Sequence, residues 1–228
     1  MTENSIGVFV GSETKFKNIA IAIKLVNPAM QQRHLGLFLK PDGDNSVKLL
    51  HLAWHNDFRL DDKNNISTDY FYLPTFNGCE ETLAEIFVDW LITVWEENRD
   101  GLPYSIIYNN TDLAFDASGK VRELSIGEGF TCSTFVLECF KSQGYDLIKY
   151  ETWPSRPEDK DWSNTIFSFL EQTGSEPAHI QVQRTHSTVT RYRPEEVAAA
   201  ASLSKFDERR LCFEEVIPLS CDIVRKVS

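Results

Sequence analysis

Three residues of this chain have types and settings that could do chemistry together: Cys132, His34 and His51. Cys132 lies in Gly129-Phe130-Thr131-Cys132-Ser133-Thr134-Phe135-Val136-Leu137-Glu138-Cys139-Phe140. The apolar positions Cys132, Phe135, Val136, Cys139 and Phe140 form the stripe of a helix with one buried face. Gly127 and Gly129 precede it, Thr131 is placed as an N-cap, and Gly144 follows at the C-cap distance. The spacing therefore predicts a helix that opens on a cysteine. Unpaired N–H groups and the helix dipole favour negative charge in a first turn, and no Asp or Glu stands there to oppose a thiolate. Such a setting lowers a thiol pKa and makes the sulfur a nucleophile. A small core cysteine would show the same stripe, so the nucleophile needs a base elsewhere in the chain.

The histidines supply one. Arg33 to Lys40 reads as a short strand, Pro41 to Ser46 as a turn, and Val47 to His55 as the returning strand. His34 opens the first strand and His51 lies late in the second. The start of one antiparallel strand faces the end of the next, so the two imidazoles become neighbours across the ladder.

Other elements must hold this hairpin against the Cys132 helix. Ile6 to Val10, Ile19 to Val26 and Tyr70 to Leu73 read as strands, and the run Ile-Ala-Ile-Ala-Ile is apolar enough to lie inside a sheet. Glu80 to Glu97 is the clearest amphipathic helix, with Leu83, Ile86, Phe87, Trp90, Leu91, Val94 and Trp95 on its apolar positions. Asp57 to Asp69 reads as a polar loop, Tyr104 to Tyr108 as a brief strand or turn, and Asn109 to Glu128 mostly as loop. Beyond Gly144, a segment rich in Pro, Trp and charge precedes helix-like stretches at 162–170, 194–203 and 207–216. Ile180 to Arg184 alternates like a strand. The pattern is α+β: residues 1–150 form a core and 151–228 a helical decoration packed on the same domain.

Composition narrows the field. The chain has 228 residues, 42% hydrophobic and 12% aromatic, which suits a folded globule. A net charge of −11 argues against nucleic acid or an anionic membrane as the main partner. No run approaches a membrane span and the first residues show no secretory signal, so the chain is expected to be cytoplasmic as synthesised, with export by a signal-free route left open. Five cysteines, Cys79, Cys132, Cys139, Cys212 and Cys221, contain no Cys-x-x-Cys pair, which favours reduced thiols over a disulfide or zinc framework.

The strand-turn-strand His34-Leu-Gly-Leu-Phe-Leu … Leu50-His51-Leu-Ala resembles the histidine hairpin of NlpC/P60-type papain-like cysteine hydrolases. Thr131-Cys132-Ser-Thr-Phe-Val is similar to that family's nucleophile helix. Here the hairpin precedes the helix, an order resembling the circularly permuted branch with its lecithin:retinol acyltransferase-like proteins and YiiX-like amidases. Permutation keeps a spatial site while changing chain order. The region after Glu151 is not covered by the likeness.

The resemblance implies a papain-like antiparallel sheet packed on a nucleophile-bearing helix, with extra C-terminal helices. It also implies roles. Cys132 attacks a carbonyl carbon as thiolate. His34 pairs with the thiolate and then protonates the leaving amine. His51 orients His34 as Asp or Asn does in other triads. The Cys132 N–H is the natural oxyanion donor, with a second donor unidentified. His55 is the alternative orienter. His179 and His186 read as surface residues, Cys139 as core, Trp54, Trp90 and Trp95 as core or cleft wall, and Glu158, Asp159 and Asp161 as a solvated loop. A zinc site from His34, His51, His55 and Cys132 matches no familiar spacing, and the reading calls for no metal or cofactor.

The resemblance thus implies amide hydrolysis in a peptide or peptidoglycan-like substrate. In a compact hydrolase without a signal peptide, it fits an antibacterial effector delivered by a contractile secretion machine and partnered by an immunity protein. Acyl transfer or thioester hydrolysis through the same thiol is the second reading, and a non-catalytic papain-like interaction module the third.

Overall fold

The computed structural model describes residues 6–11, 14–41, 46–76, 80–186, 190–205 and 209–228. Six strands come first: β1 Gly7–Val8, β2 Ile19–Asn27, β3 Gln32–Leu39, β4 Lys48–Trp54, β5 Asp57–Asp62 and β6 Phe71–Pro74. They form one antiparallel sheet in the order β1-β6-β2-β3-β4-β5. Six helices follow: α1 Glu81–Glu97, α2 Cys132–Ser142, α3 Asp159–Gln172, α4 Pro177–Thr185, α5 Pro194–Leu203 and α6 Phe213–Lys226.

Both sheet faces are dry, which explains the unbroken apolar run of β2. Its Ile19, Ile21 and Ile23 join Leu35, Leu37, Leu39, Leu50, Leu52 and Leu73 beneath the helices. Ala20 and Ala22 face the other way, into a smaller core with Phe9, Phe38, Leu49, Ile66 and Tyr70. Fully burying one Leu or Ile side chain is worth about 1.5–3 kcal/mol, so the larger core dominates. The segment after residue 150 contributes to it directly. Helix α5 lies against β2, β3, β6, α2 and α6, and its Val197 and Ala198 to Ala201 have no exposed surface. Small side chains let its backbone approach the sheet closely.

Three stretches depart from the sequence expectation. Asp57 to Asp62 is a strand, not a loop: it hairpins back on β4, with His51 opposite Arg59 and Leu49 opposite Asp61. Ile180 to Arg184 is helical, within α4. Pro177 sits at its N-terminus, and burial of His179, Ile180 and Gln183 follows helical spacing that the apparent alternation concealed. Helix α6 starts at Phe213 rather than near 207, because the Leu211 backbone bonds to the Leu147 carbonyl and the Lys149 N–H. The Glu215 carboxylate then accepts from the Cys212 N–H at the start of α6. Residues 206–208, Asp42 to Asn45 of the hairpin turn, and Cys79 lie outside the described residues.

Candidate functional site

Helix α2 begins on Cys132, with Thr131 as N-cap. The Thr131 side chain accepts from the Thr134 N–H at 3.1 Å, and the Thr134 hydroxyl accepts from the Thr131 N–H at 2.8 Å. The two threonines satisfy each other's donors, leaving the Cys132 N–H without a partner among the described residues.

The hairpin delivers the histidines as the ladder argument required. Leu37 pairs with Leu50 and Phe38 with Leu49. Extending that register puts His51 beside Gly36 and diagonal to His34 on the same face. Gly36 makes this possible: a Cβ there would lie 2.9 Å from the His51 Cβ and 3.0 Å from the Leu50 carbonyl oxygen. The vacated space lets the rings meet edge to face, with His34 Nε2 2.8 Å from His51 Nδ1.

The chain of bonds continues to a residue that sequence reasoning missed. His51 Nε2 lies 3.0 Å from Asp61 Oδ2 on β5. This partner fixes the tautomers. The Asp61 carboxylate accepts from His51 Nε2–H, which leaves His51 Nδ1 as an acceptor. His34 then donates through Nε2–H, and its Nδ1 carries the free lone pair. One directional relay, Asp61 to His51 to His34, ends on a base nitrogen.

His34, His51 and Cys132 line one cavity of about 320 Å³ at the end of the sheet. The Leu35 backbone, next to His34, reaches the Cys132 sulfur closely enough to favour its charged form. Tyr70, Tyr104, Trp54, Trp162 and Arg191 complete much of the wall. None of these was assigned a role from sequence beyond Trp54 as core or cleft wall.

Electrostatics correct one expectation. Burial pushes the Cys132 thiol up, against hydrogen bonds from Leu35 and Ser133 and the charge of Arg191. The helix start thus does not yield a lowered thiol. Burial also holds His34 well below the usual imidazole range, and His51, Lys24 and Arg59 add to the shift. Burial lowers His51 too, opposed by the bond and charge of Asp61. Both shifts disfavour charge, so burial favours the Cys132 thiol and a neutral His34 imidazole over an ion pair. Burial raises the Tyr70 and Tyr104 phenols above their ordinary value, which keeps both as O–H donors.

The remaining assignments sort as follows. His55 takes no part in the relay: its Nδ1 accepts from the Tyr104 N–H at 3.1 Å, and its ring packs on His179. The set His34, His51, His55 and Cys132 therefore does not converge, and no cluster of three or more metal-ligating side chains occurs among the described residues. His179 is buried, not at the surface. It accepts from the Gly127 N–H at 3.2 Å and donates to the Tyr104 carbonyl at 2.9 Å, fastening α4 to the loop before α2. His186 is exposed. Asp159 is buried rather than solvated and accepts from Arg193. Cys139 is core, and Trp153 is buried with its indole N–H on Glu196. No helix of the described residues is long and apolar enough to cross a membrane. No family model, curated protein or solved structure matches the chain.

Proposed function

We propose that the chain is a cysteine hydrolase of amide bonds, with a permuted NlpC/P60-like, papain-like arrangement. The observation that carries this reading is the Asp61–His51–His34 relay ending in the cavity that holds Cys132. A buried structural histidine pair has no need of a carboxylate that sets both tautomers toward an open cleft.

In this mechanism a substrate carbonyl enters beside Cys132. His34 Nδ1 takes the thiol proton as the S–C bond forms. The developing imidazolium is stabilised through His51 by Asp61. The Cys132 N–H at the start of α2 donates to the oxyanion. Tyr70 and Tyr104 line the cavity within electrostatic reach of the sulfur, and one of their O–H groups supplies the second donor. His34 next gives its proton to the leaving amine. Water, deprotonated by the same nitrogen, then releases the acid and restores the thiol.

A cavity of about 320 Å³ fits a short peptide-like group better than a long alkyl chain, which favours amidase over lipid acyl-transfer chemistry. The direct test is acylation with p-nitrophenyl acetate. Wild type should give a p-nitrophenol burst and a transient acetyl adduct on Cys132 by mass spectrometry, and His34→Ala should give neither. A permanent adduct in wild type would remove hydrolysis. Equal labelling in His34→Ala would remove the base. Adding an amine acceptor separates hydrolysis from acyl transfer by product.

A further inference from the structure

The cavity carries a charge opposite to that of the chain. The protein has a formal net charge of −11, yet among the described residues no Asp or Glu lines this cavity, whereas Lys24, Arg33, Arg59 and Arg191 do. Two of the four are committed elsewhere. Arg33 gives its hydrogen bonds to Gln31 and to the Val224 carbonyl. Arg59 is held by both oxygens of Asp57. Lys24 pairs with His34 across the β2–β3 ladder and lies over the Tyr70 ring, with the largely exposed Asp69 3.9 Å away.

Arg191 is in a different situation. Its side chain is only 16% exposed, and its nearest carboxylate, Asp159, is 3.9 Å away. That carboxylate already accepts from Arg193 at 3.1 Å. The guanidinium forms no hydrogen bond to a described residue and is held over the Trp162 ring at 4.1 Å. A guanidinium offers a planar fork of donors matched to carboxylate or phosphate oxygens. None of its N–H groups is among the buried polar atoms left without a partner; the side chain lines the cavity, where an anionic group can take the place of water at the fork. It stands close enough to Cys132 for its charge to be felt at the sulfur.

We infer that Arg191, assisted by Lys24 on the His34 side, forms an anion subsite that holds a carboxylate or phosphate group of the substrate beside the scissile amide. The inference rests on the thiol-hydrolase reading and narrows it to amides that carry an oxyanion near the reacting carbonyl.

The test compares iodoacetate with iodoacetamide on the full chain. Both reagents form an S–C bond and expel iodide, and they differ only in carboxylate against amide. Mass spectrometry gives the ratio of the two rate constants at Cys132, with exposed Cys221 in the same molecule as internal standard. The ratio should be at least about tenfold higher at Cys132 than at Cys221, as a poorly screened charge requires. Arg191→Gln should bring the two ratios together. Using a ratio cancels any change in thiol reactivity caused by the variant. Equal ratios in wild type, or a ratio untouched in both Arg191→Gln and Lys24→Gln, overturn the subsite. If neither reagent modifies Cys132, the hydrolase reading itself falls and the subsite with it.

Protection of wild-type Cys132 from iodoacetamide needs no variant. Glutarate or inorganic phosphate should slow the reaction where neutral glutaramide does not, and whichever protects at lower concentration identifies the oxyanion. Equal protection by glutaramide, or protection by none of the three, rejects the proposal.

Discussion

Asp61→Asn is the most informative single change. The carboxylate takes one hydrogen bond from His51, at 3.0 Å, between side chains that are 24% and 7% exposed. An amide has nearly the same shape, but its NH₂ can donate to His51 Nε2. His51 then carries its proton on Nδ1 and donates to His34 Nε2. The His34 proton then sits on Nδ1, the nitrogen that the proposed mechanism needs to receive the Cys132 proton. One substitution at the far end thus turns the relay around. A hydrogen bond to a charged group is worth about 1.5–3 kcal/mol, and 1.36 kcal/mol is tenfold in rate. The p-nitrophenol burst should therefore slow by about ten- to 150-fold. The melting temperature should fall little, because the amide still fills the site. Asp61→Ala is the companion: it leaves His51 Nε2 to water and does not impose the wrong tautomer, so it should be less damaging than Asn. Nitrogen NMR of the imidazoles reports the tautomer directly. A wild-type His34 protonated on Nδ1, or an Asp61→Asn burst within twofold of wild type, would refute the reasoning.

Other outcomes follow from the same geometry. Cys132 alkylation by iodoacetamide should keep rising with pH past the free-thiol value of about 8.5, because burial raises the thiol and lowers His34; a plateau already complete near neutrality would mean a preformed ion pair. Gly36→Ala should lose the burst and cost about 1–3 kcal/mol in denaturant unfolding, since the new methyl meets His51, Leu49 and the Leu50 carbonyl; an active, fully stable variant would show that the hairpin has room. Tyr70→Phe and Tyr104→Phe should separate, one slowing acylation about 10²–10³-fold as a lost oxyanion donor does and the other leaving it near wild type. The depressed His34 value means that the unfolded chain binds its proton first as pH falls through 6.5. Wild-type stability should therefore drop on acidification below that point by more than that of His34→Asn, measured as the difference between their urea midpoints at pH 7.5 and 5.5. Equal drops would place the acid lability in other groups.

Much of this site was legible in the sequence because it depends on local periodicity. The stripe from Cys132 to Phe140 with Thr131 before it specifies where α2 starts, and two apolar runs around a turn specify that His34 and His51 meet. Asp61 was missed through a mistaken loop, although a signal was present. Asn56, with its positive φ of 55°, turns the chain, and Phe58 and Leu60 alternate with Arg59 and Asp61. That period of two puts Asp61 on the same sheet face as His51. Arg191 carried no such signal. Its neighbourhood is made by Trp162, Asp159 and Arg193, contacts between distant segments that no window of sequence displays. The thiol shift was misjudged for a related reason: the helix start is a local property, whereas burial comes from the whole fold. Likewise α4 appeared as a strand because Ile180 and Val182 alternate, while the side chains that bury are His179, Ile180 and Gln183.

The chain order of the cavity residues sets when it can exist during synthesis. The histidine hairpin leaves the ribosome first, the cysteine helix much later, and Arg191 only just before α5. Helix α5 seals the sheet with its alanines, and its Ala201 carbonyl accepts from Thr75, next to the end of β6. A nascent chain therefore carries His34 and then Cys132 before the cavity wall formed by Thr190, Arg191, Tyr192 and Pro194 exists. The cavity is complete only once α5 has docked on the sheet. Any agent that holds α5 off the sheet would open one side of the cavity while leaving the histidine hairpin and the start of α2 in place.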